Sequence, residues 1–285
     1  MKRFFYIAIL FPLLANAQMG DLKFNSEFEQ QAFAIIDSSQ QPKDILRLFF
    51  AADSTISEAN FESTYSDILA FNEAHKLNKN PRHLFDETQN NFFTEYALNP
   101  SFADLIHNST YSCVTGSALI GFYLGLNGFD YTVQEMPYHV FLTVERRNRN
   151  YILETTDTEY GFLPDIKVNR RSYLPDTIDN SHIFKEIGDY SNLKDGQIIV
   201  KGNVTLLELA GLSYYNTAIN CINSKDYTNA VYQLQKAYYL YPSLRIKEAA
   251  KYSLIQVLND PELSKEEKIP FYEMLASLTF SYSTK

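Results

Sequence analysis

The chain has 285 residues and a formal net charge of −9, with 45% hydrophobic and 21% charged residues, the balance of a folded protein and not of a disordered one. The acidic surplus, without any basic cluster, speaks against nucleic acid as a main partner, because phosphate binding needs concentrated Lys and Arg. Two cysteines cannot make a disulfide framework or a thiolate zinc site, while 21 Tyr and 21 Phe with no Trp ask for a packed interior.

Residues 1–17 read as an export signal. Lys2 and Arg3 form a positive start, Phe4 to Leu14 an apolar run of eleven, and Ala15-Asn16-Ala17 a small-x-small cleavage site. Cleavage after Ala17 would leave Gln18 as the new N-terminus. The run falls short of the about 20 residues that span a bilayer, and Pro12 near its end also fits a signal better than an anchor. No cysteine stands near Ala17 to carry a lipid, and no later stretch is long and apolar enough to be a membrane segment. The expectation is an exported protein, periplasmic or secreted, with no integral membrane segment after signal removal.

Three zones follow. Residues 18–105 carry helical patterning: Ser26 and Glu29 read as a capping box ahead of Phe28, Ala32, Phe33, Ile35 and Ile36. Lys43 to Ala52 places Ile45, Leu46, Phe49 and Phe50 at helical spacing behind Pro42. Phe61, Tyr65, Ile68, Leu69 and Phe71 form another stripe, and after Pro81 a further run passes through Leu84, Phe92, Phe93 and Tyr96. All of these stripes are read as helix core.

Residues 106–204 change character. Cys113 to Leu126 is one apolar helix that stops at Asn127-Gly128. Runs rich in β-branched and aromatic residues come next, Tyr131 to Glu135, His139 to Glu145 and Tyr151 to Thr155, the last two joined by a hairpin loop Arg146-Arg147-Asn148-Arg149-Asn150. A looser stretch with Pro164 and Pro175 precedes Gln197-Ile198-Ile199-Val200, read as a further strand.

Residues 205–285 are helical again. Tyr214 and Ala218 on one helix, a turn at Lys225-Asp226-Tyr227, and Ala230, Leu234, Ala237 and Pro242 beyond it resemble one tetratricopeptide repeat, a helix–turn–helix unit in which small residues let two helices approach closely. Cys221 falls on the inner face of its first helix, and Ser243 to Leu258 with Lys265 to Phe280 read as a second or capping pair. A single such unit cannot bury its own face, so it is expected to stack on that second pair or on the middle zone. The resemblance implies a protein partner at these helices.

Chemistry concentrates in the middle zone. Thiol catalysis needs a thiolate, a base to form it and a third group to orient that base. Cys113 stands where a helix begins, so first-turn N–H groups and the helix dipole favour its thiolate form. His139 starts a strand and shares a face with Phe141 and Thr143, while Val140, Leu142 and Val144 take the other. Glu154 lies on the partner strand. In a simple antiparallel register it stands nearly opposite His139 on the same face, and a two-residue slip preserves that face.

Tyr111-Ser112-Cys113-Val114-Thr115-Gly116-Ser117-Ala118-Leu119, then Pro137-Tyr138-His139-Val140-Phe141-Leu142, then Tyr151-Ile152-Leu153-Glu154-Thr155-Thr156, resemble the transglutaminase-like superfamily, more closely its bacterial branch with tetratricopeptide repeats. The match covers roughly residues 106–162. It implies an α+β protein with a papain-like core, a Cys-bearing helix against an antiparallel sheet bearing His and an acid, flanked by an N-terminal helical region and a C-terminal tetratricopeptide-like region. It makes Cys113 the nucleophile, His139 the general base and Glu154 the orienting residue. Two positions depart from the family pattern: Glu154 stands where Asp is commoner, and the usual Trp after the His is absent, with Phe141 nearby. The oxyanion would be received by the Cys113 backbone N–H, with Asn108 or Tyr111 as side-chain candidates.

Other signals are weaker. Gly116, Gly121, Gly125 and Gly128 lie in and just after the helix and make no phosphate loop, and Gly121 and Gly125 read as close-packing positions against a neighbouring helix. His75, His83, His107 and His182 show no metal-ligand spacing, so neither metal nor cofactor is expected. The leading reading is an exported thiol enzyme acting on amide bonds of a peptide or protein substrate, as peptidase, amidase or transferase. The alternative is a non-catalytic binding or scaffold protein that uses the same cleft and repeats to hold a partner.

Overall fold

Ser26 opens the first helix of the computed structural model, which describes residues 22–136, 139–146, 149–157, 161–164 and 202–280. The expected signal at residues 1–17 and the strand expected at Gln197–Val200 lie outside these residues, as do Pro175 and His182. Ser26 Oγ accepts from Glu29 N at 3.1 Å, starting α1 (Glu27–Ile36). The reciprocal half of the capping box is not made. Glu29 is fully buried, and its carboxylate is taken by the Asn25 N–H at 2.6 Å and by Lys236 Nζ at 2.7 Å. The Asn25 N–H and the Lys236 ammonium thus take the two carboxylate oxygens in place of the Ser26 N–H.

Pro42 begins α2 (Pro42–Ala51), a position where its missing N–H costs nothing. Ser57 and Asn60 cap α3 (Glu58–Ala74) reciprocally, and Asn80 caps α4 (Pro81–Phe92), again with Pro in the first turn. Phe33, Leu46, Phe49, Phe50, Phe61, Leu84 and Phe85 are buried, each such side chain worth about 1.5–3 kcal/mol. The helical run after Pro81 stops at Phe92. Tyr96 belongs instead to a short strand, β1 (Glu95–Tyr96). After α5 (Phe102–Asn108), Ser109 takes a left-handed conformation and turns the chain into β2 (Thr110–Tyr111), which pairs parallel with β1, Tyr96 beside Tyr111.

Ser112 and Thr115 form a capping box at the start of α6 (Cys113–Leu126), whose residues from Val114 to Leu124 are all buried. A helix apolar all round belongs at the centre of a fold. Here α6 touches α2, α4, α5 and the sheet. It ends at Asn127, and Gly128 turns the chain at φ +70°. A Cβ at Gly121 would lie 3.2 Å from Tyr131 Cε2 and 3.3 Å from Leu142 Cδ2, so the close approach is mainly to the sheet, with Leu206 the only helical neighbour among the three nearest. Gly125 likewise faces Tyr131. The expected helix neighbour is largely replaced by the sheet, because aromatic and branched side chains of the strands reach into the groove that the two glycines leave.

The sheet has the order β6-β5-β4-β3-β7, antiparallel throughout, with β3 (Tyr131–Met136), β4 (His139–Arg146), β5 (Arg149–Leu153), β6 (Phe162–Pro164) and β7 (Asn203–Val204). The β4–β5 hairpin is tighter than the five-residue loop expected from composition, since Arg146 pairs with Arg149 and only residues 147–148 separate the strands. Polar side chains at the tip continue the ladder into solvent, where a strand needs no apolar partner. Val140, Leu142 and Val144 are buried, while Phe141 and Thr143 on the other face are half-buried.

The chain closes with α7 (Leu206–Asn223), α8 (Tyr227–Leu240), α9 (Leu244–Asn259) and α10 (Lys265–Phe280). Tyr214, Ala218, Ala230, Leu234 and Ala237 are fully buried. Gly211 lets α7 meet the end of α8, where a Cβ would stand 2.7 Å from Tyr241 Cβ. α7 also packs on α6 and α2, and α9 on both α8 and α10. One contiguous apolar core runs from Leu22 to Ala250 through all three sequence zones, with a smaller cluster of Val231, Leu254, Val257 and Phe271 at the far helices. The architecture is α+β, ten helices and a five-stranded antiparallel sheet among the described residues. No described helix is long and apolar enough to cross a membrane.

Candidate active site

Cys113 is the first residue of α6, free and half-buried, in the turn whose leading N–H groups have no intrahelical partner. The cap that sets this turn is wholly local: Ser112 N donates to Thr115 Oγ1 at 2.9 Å and Thr115 N to Ser112 Oγ at 3.4 Å. His139 is the first residue of β4, and Glu154 follows the last residue of β5. Their side chains are only 2% and 6% exposed, with His139 Nε2 and Glu154 Oε2 2.5 Å apart.

The register explains how they meet. Leu142 pairs with Leu153, which carries Glu154 to the position opposite Phe141, two residues along from His139. The contact is therefore diagonal, the slip of two that keeps both side chains on one face. The His139 and Phe141 rings lie 6.3 Å apart at an interplanar angle of 24°, as neighbours on that face.

Glu154 is held from its other oxygen as well. Oε1 accepts from Thr156 N at 2.9 Å and Thr156 Oγ1 at 2.6 Å. Its backbone N–H donates to Gly161 O at 2.7 Å. A Cβ on Gly161 would meet Asp157 O at 2.6 Å and Phe85 Cζ at 2.7 Å, and would come closer still to Glu154 O, so only glycine lets the returning chain lie here. Gly116 plays a milder version of this part on the helix, a Cβ there standing 3.1 Å from the Thr155 side chain.

Burial pulls the His139 pKa down, but the neighbouring Cys113 and Glu154 side chains outweigh it and hold the imidazole up at about 10. Glu154 occupies Nε2, so Nδ1 is the ring nitrogen that the carboxylate does not engage. At neutral pH the ring therefore carries a proton that it can give to a leaving group. Of the three residues that sequence reasoning grouped, His139 and Glu154 are in direct contact, and Cys113 is tied to them through its effect on the His139 pKa.

The two side-chain oxyanion candidates are placed differently. Asn108 ends α5, exposed, with its amide given to Asp104 Oδ1 at 3.3 Å. Tyr111 is buried, its ring stacked 4.8 Å from Phe93, and burial followed by the nearby Glu154 charge raises its pKa. Sequence reasoning missed Tyr96, Thr156 and Gly161. Tyr96 packs edge-on against Tyr111 at 5.8 Å, and its pKa is raised by burial first and then by the charges of Cys113, Tyr111 and Glu154. A run of Phe92, Phe93 and Tyr96 has strand propensity as well as helical spacing, which was the available signal for β1.

The remaining titratable groups lie elsewhere. Cys221 is free and half-buried, its thiol pKa raised by burial. His75 Nδ1 pairs with Glu87 Oε2 at 2.6 Å, and His83 Nε2 contacts the His75 carbonyl at 2.8 Å. Among the described residues no three His, Cys, Asp or Glu side chains are grouped as metal ligands would be. The chain matches no family model, no curated protein and no solved structure.

Proposed function

We propose that the protein is an exported, transglutaminase-like thiol enzyme that cleaves or transfers acyl groups at amide bonds. The observation that carries this reading is the buried 2.5 Å contact between His139 and Glu154, with a free, half-buried Cys113 at a helix start near enough to raise the His139 pKa. A structural histidine needs no nucleophile beside it, and a core cysteine needs no imidazole.

In the reaction the Cys113 thiolate adds to the amide carbonyl carbon, forming the C–S bond while the π pair moves onto oxygen. Collapse restores the carbonyl and breaks the C–N bond, and the amine leaves with the proton that His139 held. Water or an acceptor amine then attacks the thioester, giving a proton to His139 as the thiolate leaves. Glu154 keeps the ring oriented and its charge compensated throughout. The helices α7 to α10 are read as a tetratricopeptide-like brace that presents a protein-binding surface beside the core.

The test is a screen of peptide amides with wild type and Cys113→Ala, read by mass spectrometry for product and for an acyl adduct on Cys113, with hydroxylamine as acceptor. Turnover that Cys113→Ala abolishes supports the proposal. A Cys113 that labels with iodoacetamide only after unfolding overturns it and leaves the cleft to non-catalytic binding.

A further inference from the structure

A tetrahedral adduct on Cys113 needs two donors aimed at the oxygen that gains charge. The Cys113 N–H, in the first turn of α6, is one of them. The second has three claimants near the start of this helix. Asn108 has given its amide to Asp104 and sits exposed at the end of α5. Tyr111 is sealed by the Phe93 ring and by its own burial, so a substrate cannot reach it.

Tyr96 differs from both. The parallel register sets it beside Tyr111, two residues before Cys113, and Ala97 N donates to Tyr111 O at 2.9 Å to pin that register. Its ring rests edge-on against Tyr111, and it is 38% exposed, so it is fixed at its base and open to solvent. That combination is what a substrate-contacting group requires beside a His139–Glu154 pair that is itself closed off.

We propose that the Tyr96 hydroxyl is the side-chain donor to the oxyanion, so that Tyr96 O–H and Cys113 N–H together receive the charge that develops as sulfur adds to a carbonyl. This rests on the thiol-enzyme reading above and sharpens it, since the substrates favoured are those that pass through a tetrahedral carbonyl adduct. The electrostatic surroundings agree: burial and the charges of Cys113 and Glu154 keep the phenol protonated, hence a donor, wherever the thiolate is formed.

The experiment uses the full chain and Tyr96→Phe, which keeps the ring and its packing. Two probes separate the claims. Iodoacetamide alkylates Cys113 without any oxyanion, whereas a peptide aldehyde adds to it as a thiohemiacetal whose oxygen occupies the oxyanion position. Tyr96→Phe is expected to keep the alkylation rate within about twofold and to weaken aldehyde binding about 100-fold. Unchanged aldehyde affinity overturns the proposal, and so does a parallel loss of alkylation, which makes Tyr96 a residue that positions the thiol. If wild type neither alkylates nor binds aldehyde, it is the thiol-enzyme reading that fails, and the donor role falls with it.

Discussion

Lys236 of α8 reaches Glu29 of α1 at 2.7 Å, and neither side chain is exposed to solvent. The pair joins the first described helix to the last zone of the chain, beside the fully buried Tyr214, whose pKa is raised by burial and by the Glu29 charge. Burial lowers the Lys236 pKa and Glu29 opposes that, so the ammonium depends on its partner. Lys236→Met alone is expected to destabilise the protein by about 3–5 kcal/mol, because it strands a buried carboxylate. Glu29→Leu combined with Lys236→Met should recover most of that loss. Urea unfolding of the two variants checks it, and equal losses in both would contradict it.

The hydrogen bonds around Gly161 make it a support for Glu154 and not a passive turn. Gly161→Ala is expected to cost about 1–3 kcal/mol, since the new methyl meets backbone oxygens that cannot swing away. The displaced Glu154 should also slow iodoacetamide labelling of Cys113 in the fraction that stays folded. Thermal melts give the first number and labelling at neutral pH the second. A destabilised variant with full labelling would separate the loop from the site.

What was legible in the sequence follows the range of each interaction. The Ser112–Thr115 cap and the Asn127-Gly128 stop are decided within a few residues, so α6 and the place of Cys113 at its start could be read directly. His139 and Glu154 meet across a hairpin, where parity alone puts them on one face and no knowledge of the exact register is needed. The placing of Tyr96 beside Tyr111 was harder to read, because two-residue strands pairing in parallel across α5 leave no periodicity and only a weak propensity signal. Glu29 misled for the same reason: its local signal is a capping box, and the partner that overrides it lies 207 residues away.

Altering either member of the buried His139–Glu154 pair should act on the thiol before it acts on the fold. His139→Ala is expected to lower turnover about 100- to 10,000-fold, the usual contribution of a positioned acid–base group. Glu154→Gln should lower it less, keeping the Thr156 contact while losing the charge that faces Nε2. Rates on any amide found in the screen give the ranking. Glu154→Gln more damaging than His139→Ala would reassign the base.

The last expectation is a pH window for stability. The His139 pKa is about 10 in the folded protein, against about 6.5 for an unperturbed histidine. Because the folded value is the higher one, the folded state holds an extra proton between these two values. The stabilisation is therefore fully present below about pH 6.5 and is lost as pH rises toward 10. Unfolding free energy should fall with a slope of up to about 1.4 kcal/mol per pH unit inside that window. Glu154, Cys113, Tyr96 and Tyr111 are the charged and titratable groups around this site. Glu154→Gln removes a contact that raises the His139 pKa, so it should flatten the slope and narrow the window from its alkaline end. Urea titrations from pH 6 to pH 10 on both proteins measure it. A slope in wild type that Glu154→Gln leaves untouched would mean that the titrating group is not His139.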